Sequence, residues 1–479
     1  MNETVIVGSF ALFLLGFTVI GALSTRVSKK TSEDYLVASR DVSPWLTALS
    51  AVASNNSGYM FIGLIGFTYT TGIGAIWLQI GWLMGDAISW SWVHRRVRSR
   101  SEAVGATSVA GMLATDDSGG ASRPIAVAAG LLTLLFLGAY AAAQLIAGST
   151  TLHTLFDWPM WAGSMIGVVI VTVYCLAGGI RASIWTDAAQ SVVMFVAMGL
   201  LLGMCLVEVG GPTGLMESLR AVDPNLARLV PDLPGGLPLY VLGFMFGGAA
   251  TVAQPHILVR FMAIDSADSI GRARVIYFAW FVAFSIAVIA VGLCARVLLP
   301  ELGAGLTGEA ATAAAETALP TLSMSLLPSA LVGVMLAGLF SATMSTADSQ
   351  LLSCSAAITQ DINPAWSRSV PAAKLATLGV GALALAIALS ATTGVFTLVL
   401  IAWSTLGATL GPVLLVRLAG RDLSDRLGLA MMASGLATVI AWKYTPWADA
   451  VFDVMPGIVV PLLVYTVARS LAARGGHRR

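Results

Sequence analysis

The sequence has little charge and no long polar stretch. Only 11% of its 479 residues are Asp, Glu, Lys or Arg, whereas soluble globular domains average about 25%, and 57% are hydrophobic. The mean hydropathy is +0.85. This composition excludes a water-soluble globular fold, and no segment between the apolar runs is long enough for a second domain. The chain is an integral membrane protein.

Cysteine is also scarce. The four cysteines lie inside apolar runs and form no CxxC or metal-type spacing, which excludes a disulfide framework and a zinc site. We therefore interpret them as small buried hydrophobic residues. The sequence also has no nucleophile and base pair, no Gly-rich phosphate loop and no cluster of metal ligands. We expect no enzymatic activity.

What the sequence has instead is a series of long apolar runs. The first, residues 5–23, is too long for a secretory signal and lacks a convincing cleavage site, so we interpret it as a retained span. Windows of about 20 apolar residues predict thirteen spans: 4–23, 43–69, 72–93, 125–153, 158–178, 183–208, 238–264, 272–299, 328–357, 371–391, 393–419, 424–443 and 450–472.

Basic residues are distributed unevenly over the loops between these spans. When the loops are assigned alternately to the two sides, all but four of the 26 Lys and Arg residues, Arg478 and Arg479 included, fall on one side. The exceptions are Arg220, Arg228, Arg296 and Lys443. Because cytoplasmic loops carry the excess of Lys and Arg, we predict a multi-pass protein of the cell (inner) membrane with its N-terminus outside and its C-terminus in the cytoplasm.

The second predicted span, 43–69, is interrupted at its centre by residues 54–58, which read Ser-Asn-Asn-Ser-Gly. Backbone at membrane depth leaves the helix only where it lines a cavity or is covered by protein. An unwound turn would offer carbonyl groups to a cation and N–H groups to an anion, as in the discontinuous helices of secondary transporters. The alternative is a close contact between two helices that uses small residues.

The seventh predicted span, 238–264, is interrupted in a similar way. Proline removes a backbone hydrogen bond from a helix and glycine loosens the preceding turns. The interrupting residues are Gly243, Gly247, Gly248, Thr251, Gln254, Pro255 and His256. The two interrupted spans are five apart, so spans 2–6 and 7–11 match as two sets that enter the membrane from opposite sides. Such an inverted repeat is typical of a secondary transporter.

Three carboxylates lie in or beside the predicted spans, where an unpaired charge costs about 3 kcal/mol or more. Asp187 suits either an anion at a helix N-terminus or a group on the exit route of a cation. Asp348 lies beside Ser345 and Thr346, and such hard oxygen ligands suit a small cation, although these hydroxyls also bond to carbonyls of their own helix. Asp86 receives no role.

Several blocks of the sequence together resemble one family. The chain resembles the sodium/solute symporter family, and most closely its sodium/proline branch. The matching blocks are residues 32–40, 53–58 with Gly63, 177–190, 254–263, 344–352 with Asp361, 402–403 and 407–414.

The resemblance implies a fold and an ion site. The fold is the LeuT type, an all-α domain in which one extra helix (4–23) precedes two inverted five-helix repeats (43–208 and 238–419) and two more helices follow (424–472). The cofactor is Na+, bound between the first interrupted helix and the ninth span. The implied sodium ligands are the backbone carbonyls of Ala53, Asn56 and Ala342 and the hydroxyls of Ser345 and Thr346. Asp187 is implied to lie on the inner route of the ion.

The resemblance also implies a solute site at the middle of the membrane. The implied solute-binding residues are Asn55, Ser57, Gly58, Tyr140, Gly247, Thr251 and Gln254.

Departures from the family pattern alter these expectations. Asn55 stands where the proline symporter carries Asp, so sodium binding should depend more on Asp187 and Asp348. Asp348 replaces a hydroxyl, which allows a second sodium site near it. Gly247 and Thr251 replace an aromatic pair, and we therefore expect a larger, more polar pocket and a solute other than proline.

The sequence predicts a sodium-coupled symporter that imports a small organic solute, an amino acid such as proline or a carboxylate, by alternating access. Its expected partners are the solute, sodium and the lipid bilayer, with no nucleic acid. One alternative is a proton-coupled carrier that uses Asp187 or His256, although a proton needs no cage of hydroxyls. The other is a transporter-like sensor with little transport, against which we count the short basic tail that ends at Arg479.

Overall fold

The computed structural model describes residues 2–391, 394–448 and 450–476, with side chains described as far as residue 473. Within these ranges the backbone is helical apart from turns and two isolated bridges, Val42 with Ile264 and Thr115 with Ala121. This confirms the predicted all-α class. The α-helices are α1 (Glu3–Ser24), α2 (Ser32–Val37), α3 (Pro44–Asn55), α4 (Leu64–Thr71), α5 (Ile76–Ala103), α6 (Val109–Ala114), α7 (Arg123–Leu132), α8 (Gly138–Phe156), α9 (Met160–Glu208), α10 (Gly211–Val222), α11 (Leu237–Ala249), α12 (Pro255–Ala263), α13 (Ile270–Leu298), α14 (Gly308–Glu316), α15 (Ala318–Leu326), α16 (Ser329–Ala356), α17 (Val370–Ser390), α18 (Val395–Leu418), α19 (Asp425–Trp442) and α20 (Val454–Gly476).

Nine helical runs in the described ranges are long and apolar enough to cross a membrane, and a bent pair of helices supplies a tenth. Two of the nine, Tyr59–Ala103 and Met160–Glu208, each overlap two predicted spans. Length and hydropathy therefore do not confirm the count of thirteen, which stays a prediction. The predicted start of the eleventh span at Thr393, and Arg478 and Arg479, lie outside the described residues.

The run α9 is broken at Gly179. Its 49 residues would extend about 73 Å at 1.5 Å per residue, more than twice the ~30 Å hydrocarbon core. Gly179 adopts φ 58° and ψ −143° inside the run, and a Cβ there would lie 2.4 Å from the Tyr35 carbonyl oxygen. Only glycine accepts both this backbone conformation and this close approach, so the residue separates two helices as the predicted boundary near 178–183 requires.

The first predicted interruption is present. Helix α3 ends at Asn55, and Asn56 leaves the helical region with φ −94° and ψ 56°. The chain re-enters a helix through a π-helical segment, Tyr59–Gly63, that continues into α4. Residues 47–48 and 50–66 are buried, so the unwound backbone is covered by protein and not by lipid, as its polar groups require.

The second interruption is present as well. Helix α11 passes into a 3₁₀ turn, Ala250–Ala253, and Gln254 is extended before Pro255 begins α12. The two halves meet at an angle of 55°. Proline at the first position of α12 explains why the chain restarts there, because its missing N–H is one that a helix N-terminus leaves unused.

Helix α16 lies at the centre of the packing, and every residue from 335 to 356 is buried. It contacts α1, α8 and α9. Large apolar side chains on the peripheral helices are exposed instead, including Leu12 on α1, Leu375 on α17 and Leu471 on α20. An apolar exterior around a buried polar centre is what a lipid-embedded transporter needs.

Candidate functional site

The break in α3 lies against the middle of α16. The Ser345 hydroxyl lies 3.2 Å from the Ala53 carbonyl oxygen and 3.2 Å from that of Ala342. The Thr346 hydroxyl lies 3.0 Å from the Ala342 carbonyl and 3.1 Å from the Ser54 carbonyl. Four of the five residues predicted as sodium ligands thus meet at one place, and hydroxyl and carbonyl oxygens are the donors that a hard cation prefers.

One detail of this oxygen cluster was not expected. The side chain of Asn56 donates from Nδ2 to the Val52 carbonyl at 2.8 Å, and the part of Asn56 predicted as a ligand is its backbone carbonyl. The Ser54 carbonyl, which the sequence analysis did not include, occupies the position beside Thr346. A backbone carbonyl carries no residue-specific signal, so only the geometry could identify it.

Asp187 and Asp348 are both fully buried and share one cation, Arg260. Arg260 Nη2 lies 2.9 Å from Asp187 Oδ2 and 3.8 Å from Asp348 Oδ1. Asp187 therefore does not serve as an anion at a helix N-terminus, because its partners are Arg260 and the Ser50 hydroxyl at 2.6 Å. Sequence reasoning missed Arg260, although a lone arginine in the short apolar helix α12 was a signal.

Hydroxyl groups join this charged cluster to the oxygen cluster. The Ser183 hydroxyl donates to Asp348 Oδ1 at 3.0 Å. Ser349 donates to the same oxygen at 2.7 Å, and it also lies 2.6 Å from the Ser345 carbonyl and 3.2 Å from the Ser54 hydroxyl. Asp187 Oδ1 and Asp348 Oδ2 have no hydrogen-bond partner among the described residues. The cluster of two carboxylates and one guanidinium carries a formal charge of −1 and has acceptor capacity to spare.

The predicted solute residues on the first break are also brought together. The hydroxyls of Ser57 and Tyr140 are 3.0 Å apart. The Gly58 N–H donates to Gln144 Oε1 at 2.9 Å, and Gln144 Nε2 is buried without a partner in the described part of the chain. A Cβ at Gly58 would lie 2.8 Å from the Thr343 side chain, so the break packs tightly here. Gln144, one turn after Tyr140 on α8, was missed.

On the second break the structure corrects one expectation. A larger and more polar pocket was predicted at Gly247 and Thr251, but a Cβ at Gly247 would lie 3.0 Å from the Phe452 ring and 3.2 Å from the Trp82 ring. Rings from α5 and from the segment before α20 therefore fill this space. The Thr251 hydroxyl bonds to the Gly248 carbonyl at 2.7 Å. The prediction of a larger pocket failed because the compensating aromatic residues are remote in sequence. The expectation of a solute other than proline rested on that pocket and loses its basis.

Gln254 and Asn55 connect the breaks to neighbouring helices. Gln254 Nε2 donates to the Trp403 carbonyl on α18 at 3.1 Å. Asn55 Nδ2 donates to the Tyr277 hydroxyl on α13 at 2.5 Å, and that hydroxyl donates to Asp86 Oδ2 on α5 at 2.6 Å. Asp86, to which the sequence assigned no role, therefore lies next to the predicted solute residues.

His256 is fully buried beside the edge of the Tyr140 ring, with the ring centroids 5.5 Å apart. Neither ring nitrogen has a hydrogen-bond partner among the described residues. A proton-relay role would need a hydrogen-bonded path to a carboxylate. The coupling role of this histidine stays a hypothesis.

Two helices interrupted inside an apolar bundle, with a buried set of oxygens at the breaks, define the class of an alternating-access secondary transporter. Comparison with known families agrees, because the profile of the "Sodium:solute symporter family" matches residues 35–424. The chain belongs to the sodium:solute symporter family. It is a sodium-coupled solute transporter of the membrane and not an enzyme.

Individual relatives match over nearly the whole chain. The sodium/proline symporter of Salmonella typhimurium (strain LT2) is 32% identical over 465 residues, which cover 94% of this chain and 90% of the relative. The high-affinity proline transporter PutP of Bacillus subtilis (strain 168) is 30% identical and covers 91% of this chain and 92% of its own length.

Solved structures show the same fold. A Na+-coupled sialic acid symporter in a substrate-bound outward-open state superposes with a TM-score of 0.79 at 19% identity, with 98% of both chains covered. The nucleobase-cation-symport-1 family transporter MHP1 superposes with a TM-score of 0.57 at 16% identity and covers 92% of this chain and 95% of its own. The LeuT-type fold predicted from the sequence is thereby confirmed.

Proposed function

We propose that this protein imports a small amino acid, with proline as the first candidate, together with sodium. The observation that carries the proposal is the Ser345 hydroxyl, which lies 3.2 Å from carbonyl oxygens of both the broken helix α3 and its own helix α16. The names of the relatives support an amino acid as the solute, since several are sodium/proline symporters.

In this proposal the sodium ion binds between the break in α3 and the middle of α16. Its ligands are the carbonyls of Ala53, Asn56 and Ala342 and the hydroxyls of Ser345 and Thr346, with the Ser54 carbonyl as a further candidate. These hydroxyls now donate to carbonyl oxygens. Rotation about the C–O bonds would turn their lone pairs toward an ion without movement of the backbone.

Sodium coupling follows from which elements share the ion. An ion held by carbonyls of α3 and hydroxyls of α16 links the two helices and favours a closed outer half, and its inward release then frees the solute. A ligand shifts a conformational equilibrium only by its differential affinity for the two states. Asp187 and Asp348 provide either the inner route of the ion or a second sodium site, because each keeps one carboxylate oxygen without a described partner.

The solute site has groups suited to both ends of an amino acid. Hydroxyl and amide donors at Ser57, Tyr140 and Gln144 can bind a carboxylate. Acceptors without a described donor, Asn55 Oδ1 and Gln254 Oε1, can bind an amino group. This distribution favours a zwitterionic solute over a sugar or a simple carboxylate.

The arrangement in the membrane is part of the proposal. We place one transporter domain in the cell (inner) membrane, with repeats at 43–208 and 238–419, extra helices at 4–23 and 424–472, the N-terminus outside and the C-terminus in the cytoplasm. The uneven distribution of Lys and Arg supports this orientation.

Uptake of radiolabelled proline into proteoliposomes tests the proposal. We expect uptake when a sodium gradient is imposed and none when a pH gradient replaces it. A neutral zwitterion carried with one sodium ion moves one net charge, which gains about 2.3 kcal/mol per 100 mV, so an inside-negative potential should increase uptake. Uptake driven by the pH gradient alone would indicate a proton-coupled carrier, and no uptake of any amino acid would favour the sensor.

A further inference from the structure

Asp86 is a fully buried carboxylate in α5. It precedes Arg95 by nine positions, about 14 Å along the helix axis, which places it near the middle of a ~30 Å hydrocarbon core. The second broken helix packs directly against it, since a Cβ at Gly248 would lie 2.9 Å from the Asp86 nitrogen. Thr251, a predicted solute residue, also borders the Asp86 side chain.

Asp86 has no cationic partner among the described residues, whereas Asp187 and Asp348 share Arg260 and Asp34 pairs with Arg181 at 2.7 Å. Glu316 and Asp361 are also buried without an ion pair in the described part of the chain, but Glu316 accepts from two backbone N–H groups at the start of α18 and Asp361 accepts from the Ser108 hydroxyl. Asp86 differs from these two acids by its position beside both broken helices. A buried carboxylate at this depth is costly unless it is paired, and an unexplained one is by default a functional residue.

The hydrogen bonds around Asp86 leave acceptors unused. The Tyr277 hydroxyl donates to Oδ2 at 2.6 Å, whereas Oδ1 has no described partner. The Tyr277 hydroxyl in turn accepts a hydrogen bond from Asn55 Nδ2. Asn55 Oδ1, like Asp86 Oδ1, has no donor among the described residues. Tyr277 therefore bridges a carboxylate and an amide that both need a donor from elsewhere.

We propose that Asp86 is the counter-charge for the amino nitrogen of the transported solute and that Asn55 Oδ1 is its second acceptor. This inference rests on the proposed import of an amino acid. A secondary ammonium such as that of proline has two N–H donors, one for each of these two acceptors, which Tyr277 links to each other. Gln254 Oε1, the other acceptor named above, is not needed by this ammonium group. The positive charge of the solute compensates the carboxylate that the protein itself leaves unpaired.

A sodium ion suits this position less well than an ammonium group. The Tyr277 hydroxyl points its proton toward the carboxylate, and the Thr251 hydroxyl is used by the Gly248 carbonyl at 2.7 Å. The oxygen cluster around Ser345 and Thr346, by contrast, offers two hydroxyls beside three carbonyls. An ammonium group, which donates hydrogen bonds from N–H, therefore fits the unused acceptor of Asp86 better than a sodium ion does.

The test is the substitution Asp86→Asn, which keeps the size of the side chain and removes its charge. Uptake of proline should be compared with inhibition of that uptake by tetrahydrofuran-2-carboxylate, which replaces the ring nitrogen by oxygen. We expect the wild type to prefer proline strongly and Asp86→Asn to raise the KM for proline roughly 10- to 100-fold, the size expected for a lost charged hydrogen bond. The inhibition by the oxygen analogue should change little. Asp268→Asn, which removes an exposed carboxylate, is the matched control.

Sodium binding measured without solute distinguishes a failure of the Asp86 proposal from a failure of the proposed sodium-coupled import. A sodium-dependent rise in melting temperature without solute should be the same in Asp86→Asn and the wild type, and it also reports whether the variant is folded. If Asp86→Asn cannot be purified, Tyr277→Phe provides the second test. This variant should raise the KM for proline by a smaller factor and leave the inhibition by the oxygen analogue unchanged. An unchanged KM for proline in a folded variant, or a lost response to sodium, would overturn the role of Asp86. A wild type that transports no amino acid would overturn the proposed function first.

Discussion

The sodium site is tested most directly by removal of the two hydroxyls that α16 contributes. Ser345→Ala with Thr346→Ala leaves the carbonyls of Ala53, Ser54 and Ala342 in place and takes away two of the proposed ligand oxygens. Each interaction between a neutral polar group and an ion contributes about 1.5–3 kcal/mol. Loss of one such interaction alone predicts a sodium requirement raised at least about tenfold, and loss of both predicts more.

The assay is proline uptake into proteoliposomes as a function of external sodium at a fixed membrane potential. The matched control is Ser341→Ala with Thr359→Ala, because these two hydroxyls bond to carbonyls of their own helical run, Ala337 at 2.7 Å and Ser355 at 2.9 Å. We expect the control to keep the sodium dependence of the wild type. The same sodium dependence in Ser345→Ala with Thr346→Ala would show that the ion binds elsewhere.

Three further predictions concern stability. Arg260→Gln should lower the melting temperature strongly, since two buried carboxylates lose their cation at a cost of about 3–5 kcal/mol, and Arg260→Lys should recover part of the loss; equal melting of Arg260→Gln and wild type would contradict the ion cluster. Gly179→Ala should destabilise by about 1–3 kcal/mol or more because of its positive φ and a backbone carbonyl 2.4 Å from the new Cβ, whereas Gly199→Ala, with open space around it, should not, as thermal melting can show. Burial alone would raise the pKa of Asp34, but the Arg181 ion pair and neighbouring hydrogen bonds hold this pKa below its usual value. The resulting stabilisation of the fold is present above about pH 4 and is lost as the pH falls through the lowered pKa. In Asp34→Asn the melting temperature should therefore fall less steeply on the acid side of a profile against pH.

The two clusters at the breaks differ in charge and in the number of helices that hold them. The oxygen cluster around Ser345 has no formal charge and depends on geometry, so small movements of α3 against α16 would make or break it. The cluster of Asp187, Asp348 and Arg260 is charged and is held by several elements at once. In the proposed mechanism, an ion site that depends on the relative position of two helices binds sodium in one conformation and releases it in another.

Gly247 and Arg260 have surroundings in the structure that differ from those expected from the sequence. The glycine predicted an enlarged pocket, yet Phe452 lies against it from about 200 positions further along the chain. Arg260 was counted with the basic residues of the cytoplasmic side, yet its guanidinium is fully buried between two carboxylates. Neither outcome follows from local sequence, because each depends on which remote side chain fills or neutralises the same volume.

The sequence by itself determined the class of this protein. Low charge and long apolar runs require a helical membrane protein, because lipid satisfies no backbone hydrogen bond. Small and helix-breaking residues at 54–58 and 254–255 favour helices that are interrupted inside it. Only the tertiary structure decided which oxygens meet at the breaks, that Arg260 neutralises Asp187 and Asp348 in part, and that Asp86 stays unpaired beside Asn55. Those facts depend on distances between helices that are remote in sequence, and packing of the whole bundle sets such distances.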